Sequence, residues 1–269
     1  MMTHQAVRPL AIVTGAASGM GRAAALKLAD RYDLILCDLH EAGLRAIADG
    51  AEFCAGDLAA PETIERLMTA INDRKVSAFV HAAGVSPSMA PPADIVRINL
   101  VASMALCDAI GPRMAVGGAA VLLASMGAYM LQDVSLLPLI EAVLNASPEE
   151  RADAGDALAT AAAEGNTAYG ATKRGIVMLV RKRAVEWGRR GARLVSISPG
   201  MIETPMGRKE LGAAPDLQQY VDSSAIGRFG HAEEIASAID FLCSDSASFI
   251  TGIDLIVDGG VLASIGLPA

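Results

Sequence analysis

A chain of 269 residues with 52 % apolar and 19 % charged side chains can bury a large core and is too apolar to stay disordered. Its formal net charge of −8 argues against nucleic acid or an anionic membrane as a partner and leaves small molecules and copies of itself. The four cysteines (Cys37, Cys54, Cys107, Cys243) lack CxxC spacing and the four histidines (His4, His40, His81, His231) lack metal-ligand spacing, so neither a disulfide framework nor a metal site is expected.

In chain order, "PLAIVTGAASGMGRAAALKLA" reads as strand, turn and helix rather than as a secretory signal, which implies a cytoplasmic protein. The apolar runs "LAIVTG", "LILCD", "AEFCAGD", "SAFVHAAG", "AAVLLAS", "ARLVSISPG" and "DLIVDGG" read as strands, most of them separated by helical stretches of about 10 to 20 residues. Strands apolar on both faces with helices between them imply a doubly wound α/β fold whose parallel sheet is covered on both sides. Ligands of such sheets bind beyond the carboxyl ends of the strands. The uncharged run 114–132 is long enough to raise a membrane span, but Gly117, Gly118, Ser125, Gly127 and Gln132 interrupt it, and a buried strand is the better reading. Residues 129–165 break the alternation and read as one or two Ala/Leu-rich helices, with "SPEE" as a helix start, inserted into a single domain spanning 1–269. Residues 205–225 are expected to form a mobile lid. With aromatics at only 4 %, the core is built from Ala, Val, Ile, Leu and Met.

Two local patterns point to chemistry. Gly15, Gly19 and Gly21 lie between the first strand and the next helix, where positive φ and unpaired N–H groups suit a pyrophosphate; a tight turn without a ligand is the plainer alternative. The spacing T-G-x-x-x-G-x-G departs from the commoner G-x-G-x-x-G fingerprint. Asp38, 17 residues after Gly21, ends the second strand, where a carboxylate accepts from ribose hydroxyls and repels a 2′-phosphate; this favours NAD over NADP unless Asp38 is a helix cap. Ser18 in place of Arg or Lys within the turn agrees, although Arg22 is close by. In "NTAYGATKRG", Tyr169 and Lys173 are four residues apart and share a helical face.

These stretches, together with "GDL" at Gly56 to Leu58, "HAAG" at His81 to Gly84, Asn99 in "RINL", Ser125 in "LLASM", "SPGMIETPM" from Ser198 and "DGG" from Asp258, carry a resemblance that runs from about residue 9 to residue 260. The chain resembles the short-chain dehydrogenase/reductase family, and within it the bacterial 3α-hydroxysteroid dehydrogenase/carbonyl reductase type. The resemblance implies a single Rossmann-type domain with a mostly seven-stranded parallel sheet. It implies a catalytic tetrad of Asn99, Ser125, Tyr169 and Lys173. NAD contacts would come from Gly15, Ser18, Gly19, Met20 and Gly21, from Asp38 and Leu39, and from Asp57 (facing the adenine amine) and Leu58. Ala82, Ala83 and Gly84 would line the adenosine ribose, Pro199, Gly200, Ile202 and Thr204 would hold the nicotinamide carboxamide, and Tyr169 and Lys173 would also touch the cofactor. Singly, Ser125 can cap a strand end, Asn99 can satisfy backbone groups in a helix, and Thr204 can N-cap a helix before Pro205.

Two departures stand out. His81 occupies the usual place of an Asn that braces the central strands, and a structural role is expected for it. The 44 residues from Ser125 to Tyr169 far exceed the family's spacing, and inserted helices beside the Tyr-bearing helix can block the usual tetramer, so that the expected assembly is a homodimer by another surface or a homotetramer. In the mechanism the resemblance implies, Tyr169 is the acid/base, with its pKa lowered from about 10 by Lys173 and the positive nicotinamide. Ser125 donates to the substrate oxygen, Lys173 binds the nicotinamide ribose, and Asn99 holds a proton-relaying water. Met126, Ala128, Met201 and Met206 suggest an apolar, adaptable pocket for an uncharged secondary alcohol or ketone, alicyclic or steroid. A 3-oxoacyl-carrier-protein reductase is the rival enzyme, favouring NADPH and a basic docking surface; a catalytically silent nucleotide-binding regulator would have lost Tyr169 or Lys173.

Overall fold

The computed structural model describes residues 8–47 and 50–267. All seven apolar runs are strands of one parallel sheet: β1 (Leu10–Thr14), β2 (Asp33–Asp38), β3 (Glu52–Ala55), β4 (Val76–His81), β5 (Met114–Leu123), β6 (Arg193–Pro199) and the last strand, Asp254–Val257. A minor pair, β7 (Ile202–Glu203) with β8 (Gly230–His231), lies apart from the sheet, so the last strand is β9. The sheet order is β3-β2-β1-β4-β5-β6-β9. The order reverses direction between β1 and β4, which opens a crevice at their carboxyl ends.

The alternation of side chains along each strand divides the core in two. Ala11, Val13, Leu34, Leu36, Val80, Val121, Val195 and Ile197 face one side, where α1 (Gly19–Leu28), α2 (Glu41–Leu44) and a later helix at Ala232–Leu242 supply Ala24, Leu28, Leu44, Ile235 and Ile239. Ile12, Ile35, Phe79, Ala120, Leu122 and Leu194 face the other side. There they meet α3 (Pro61–Ile71), α4 (Pro92–Val96), α5 (Ala102–Ile110), α6 (Leu137–Asn145), α7 (Arg151–Ala161) and the long α8 (Gly165–Arg189). The remaining helices are α9 (Pro205–Ala213), α10 (Gln218–Ser223), α11 (the Ala232–Leu242 helix) and α12 (Val261–Ser264). Small residues let these layers meet closely: a side chain at Gly175 on α8 would lie 2.8 Å from Leu100 Cδ1. A core leucine here contributes about 1.5–3 kcal/mol by its burial.

The unusual stretch after β5 forms a short turn and two helices, α6 and α7. "SPEE" is a reciprocal cap, with the Glu150 N–H donating to Ser147 Oγ (3.4 Å) and the Ser147 N–H to Glu150 Oε2 (3.2 Å), although the regular helix starts only at Arg151. Ile140, Val143, Leu144 and Leu158 join the same core as α5 and α8. Arg151, almost wholly buried, reaches Asp108 of α5 at 2.9 Å, and Arg183 of α8 pairs with the other oxygen of that carboxylate. The uncharged run 114–132 is β5 and a following turn, and among the described residues no helix is long and apolar enough to cross a membrane.

His81, at the end of β4, shows what its position requires. Its Nδ1 lies 2.7 Å from Thr14 Oγ1 and its Nε2 lies 2.7 Å from Ser103 Oγ. Ser103 donates its own proton to the Asn99 carbonyl (2.8 Å), so it must accept from His81 Nε2–H. Thr14 Oγ1 accepts the Ala83 N–H (3.2 Å) and donates to Nδ1. The ring thus bridges β1, β4 and α5 as a neutral imidazole, and burial followed by the nearby Lys173 charge holds its pKa down at about 3. Because the unfolded chain binds a proton that the folded one refuses, this residue makes stability fall as the pH drops from about 6.5 towards 3. His81→Ala leaves the buried Thr14 hydroxyl proton without an acceptor and Ser103 Oγ without a donor, and is expected to cost about 2–4 kcal/mol in urea unfolding, with a weaker acid dependence below pH 6.5 than the native protein.

Candidate active site

The crevice begins at the turn after β1. Gly15 has φ +66°, and a Cβ there would lie 2.7 Å from Ala83 N and 2.8 Å from Ala82 O, so only glycine lets this turn lie against the end of β4. Gly19, at φ +53°, opens α1 opposite the Thr204 methyl. Gly21 packs directly on the turn, since a Cβ there would meet Gly15 O at 2.1 Å. Ser18, the N-cap, makes no side-chain cap bond and no acidic residue stands in the first turn, so the N–H donors of α1 face the crevice uncapped. Donors, dipole and glycine surface together fit a pyrophosphate. Asp38 closes the turn on one side, its two oxygens accepting the N–H groups of Ala17 (3.0 Å) and His40 (3.2 Å), with lone pairs left for ribose hydroxyls; Leu39 beside it is exposed.

Further along, Asp57 accepts from the Ala59 N–H (2.9 Å) and pairs with Arg97 (2.9 Å), and these bonds outweigh burial and lower its pKa. Leu58 is buried beneath it. Ala82, Ala83 and Gly84 continue from β4, and a Cβ on Gly84 would lie 3.0 Å from Asn99 Oδ1 and 3.6 Å from Lys173 Nζ. Pro199 and Gly200 end β6; Gly200 N–H bonds the Val257 carbonyl, and Ile202 and Thr204 follow. Thr204 Oγ1 accepts the Gly207 N–H at 3.0 Å, so it does N-cap α9, while its methyl faces Gly19.

The tetrad residues come from three elements. Ser125 follows β5 and opens a single turn, Met126–Ala128, with its Oγ accepting the Gly127 N–H (3.1 Å). Tyr169 and Lys173 share a face of α8, which approaches that turn so closely that a Cβ on Gly170 would lie 3.2 Å from Gly127 O. This close approach brings the Tyr169 phenol near Ser125 Oγ. Lys173, 7 % exposed, places Nζ 5.6 Å from the Tyr169 ring centre and donates to the Leu123 carbonyl at 2.9 Å. Among the described residues Leu123 O is its one acceptor, so a buried ammonium still has donors to offer a ribose hydroxyl. Burial brings its pKa down to about 8.

Two of these residues gain detail and one expectation needs correction. Tyr169 is not lowered within the protein itself: burial raises its pKa first, Ser125 opposes the rise, and Glu210 adds to it. Asn99 clasps the loop after β4 with its side chain, Oδ1 accepting the Val85 N–H and Nδ2 donating to the Val85 carbonyl, both at 2.8 Å, with one amide hydrogen and one lone pair left over. It sits on a widened turn, Arg97–Val101, where one extra residue per turn rotates the amide towards the loop after β4. Ala128 lies in the core beneath the 126–128 turn rather than in the pocket.

Met126, Met201 and Met206 do line a cavity of about 640 Å³, along with Ser125, Tyr169, Met20, Pro199, Gly200, Ile202 and Thr204. The turn and loop Met130–Asp133 reach its mouth, and Glu210 of α9, Leu217 just before α10 and Tyr220 of α10 close it. Ser86, Pro87 and Glu210 were not foreseen; Ser86 and Pro87 follow the "HAAG" stretch directly, and Glu210 lies within the expected lid. Among the described residues no group of His, Cys, Asp and Glu is arranged to hold a metal ion.

The chain belongs to the short-chain dehydrogenase/reductase family. A family model described as Enoyl-(Acyl carrier protein) reductase matches residues 15–137 and 155–262, leaving out part of the α6–α7 stretch. D-threitol dehydrogenase of Mycolicibacterium smegmatis is 33 % identical over 93 % of this chain and 92 % of its own. The 3-alpha-hydroxysteroid dehydrogenase/carbonyl reductase of Comamonas testosteroni is 31 % identical, covering 93 % and 95 %. The structure of 3-alpha-hydroxysteroid dehydrogenase from Pseudomonas sp. B-0831 complexed with NADH superimposes with a TM-score of 0.81 at 30 % identity, covering 95 % of this chain and 98 % of that one. The protein is therefore an oxidoreductase of a family that uses a nicotinamide cofactor.

Proposed function

We propose that the protein interconverts a secondary alcohol and a ketone with NAD. The observation that carries this reading is one cavity lined by Ser125 and Tyr169, by Met20 of the uncapped α1 and by the 199–204 stretch, with the buried Lys173 amine one helical turn behind Tyr169. NAD, when bound, accepts or returns the hydride. Ser125 Oγ orients the substrate oxygen, Tyr169 takes or gives its proton, and Lys173 holds the ribose and supplies the positive charge that favours phenolate. Asn99 is a positioning residue: its grip on Val85 sets the loop past which Gly84 and Lys173 Nζ approach each other. The glycine turn, Met20, Asp38, Leu39, Asp57, Leu58 and Ala82 to Gly84 hold the adenosine half, and Pro199, Gly200, Ile202 and Thr204 the nicotinamide half.

Asp38 supports NAD over NADP, because a 2′-phosphate would meet its carboxylate. Apolar walls from Met126, Met201, Met206, Leu131 and Leu217 suit an alicyclic skeleton, and the relatives' names span a steroid and a small polyol. The 3-oxoacyl-carrier-protein reductase reading is not favoured, given Asp38 and the net charge of −8, and a silent regulator would not keep Tyr169 and Lys173 together. The α9–α10 stretch acts as the lid. Because α6 and α7 cover the flank of α8, the reading for assembly is a homodimer by another surface or a homotetramer. Four unpaired, buried cysteines suit a cytoplasmic location.

Tyr169→Phe should bind NAD normally, by fluorescence titration, yet lose about 10²- to 10⁴-fold in kcat; near-native turnover refutes the assignment. Asp38→Ala should shift the ratio of kcat/KM for NAD over NADP towards NADP, and an unchanged ratio refutes the cofactor reading.

A further inference from the structure

We propose that Glu210 on α9 is a specificity-determining residue, and that the substrate carries, besides its reacting carbinol or carbonyl, a second hydrogen-bond donor that this carboxylate receives. The inference rests on the alcohol–ketone reading and narrows its substrate.

Glu210 lines the same cavity as Ser125 and Tyr169, although it comes from the helix that follows the 199–204 stretch. Its Oε1 accepts the Ser88 N–H at 3.0 Å, a bond across 122 residues that fixes the side chain between the loop after β4 and the lid. Among the described residues its Oε2 has no hydrogen bond or ion pair. Glu210 lines the cavity beside Met126, Leu131, Met206 and Leu217 as well as polar groups such as Gln132 and Asn166, and among the described residues none of them donates to its Oε2. It is also close enough to Tyr169 to make the phenol harder to ionise, which works against alcohol oxidation. A wholly apolar alcohol leaves that penalty in place. A hydroxyl or ammonium on the far side of the substrate fills Oε2, spreads its charge and offsets the penalty at Tyr169. Ser86 supplies a second, independent sign of polar recognition: it lines the same wall at 2 % exposure, and its hydroxyl has no partner in the protein.

The test compares cyclohexanol, a cyclohexanediol with hydroxyls on opposite ring carbons, and the corresponding aminocyclohexanol, on the full NAD-loaded protein and on E210A and E210Q. Both kcat/KM and dissociation constants by calorimetry are measured. The native protein should prefer at least one donor-bearing alcohol over cyclohexanol by about tenfold or more, and E210A should bring that ratio close to one. E210Q, whose amide oxygen still accepts from Ser88, separates the two donors: it keeps a hydrogen-bonding partner for the diol but loses the charge that an ammonium needs. A ratio unchanged in E210A, or absent in the native protein, overturns the inference and leaves Glu210 as a lid contact. If binding shows the Glu210-dependent preference and no alcohol is oxidised, the inference stands and the alcohol–ketone reading fails; oxidation without preference gives the reverse.

Discussion

The ammonium of Lys173, buried against the Leu123 carbonyl, constrains everything around it. A buried cation is costly, and here one strand-end carbonyl is its only acceptor among the described residues. The fold accommodates this by putting Lys173 on the long helix α8 and aiming it at the carboxyl end of β5, next to the crevice between β1 and β4. Gly84 leaves room for the Asn99 amide beside the amine, since a Cβ there would lie 3.0 Å from Oδ1. His81 stays neutral partly because the same charge repels a second one. The hydrogen bonds from Thr14 through His81 and Ser103 to Asn99, and from Asn99 to Val85, then hold the β4 loop at the right height.

The proton chemistry belongs to the pair rather than to either side chain. Lys173 is drawn down to about 8 and Tyr169 is raised, so the first proton leaves the pair near the lower value. Phenolate beside ammonium and phenol beside amine then carry the same total charge, and they interconvert by moving one proton. Burial and Glu210, left unanswered, oppose the phenolate form, and the Ser125 hydroxyl favours it. The pocket's polarity is thereby tied to its catalytic power: whatever neutralises Glu210 also assists Tyr169.

Much of this was legible in the sequence because it is local. Seven apolar runs, a glycine-rich turn with Asp38 behind it, and a Tyr and Lys one helical turn apart depend on near neighbours and on side-chain period, and all are in the places their spacing implied. What was not legible arises from contacts between distant segments. The clasp of Asn99 on Val85 joins residues 14 positions apart and forms only where a widened turn adjoins the β4 loop. The surroundings of the Tyr169 phenol, where burial and Glu210 raise its pKa and Ser125 lowers it, are set by the turn after β5, by α8 and by α9 together. Asp57 is paired with an Arg97 that lies 40 positions on, and Glu210 reaches Ser88 across 122. Ala128 missed the pocket by the sense of one short turn.

The most direct test of the central claim is the pH dependence of kcat for alcohol oxidation at saturating NAD, in the native protein and in Lys173→Met. If the buried amine sets the acidity of the pair, the native rate rises with an apparent pKa near 8, and removing the amine moves that rise by more than one unit to higher pH. The same midpoint in both proteins would contradict the account.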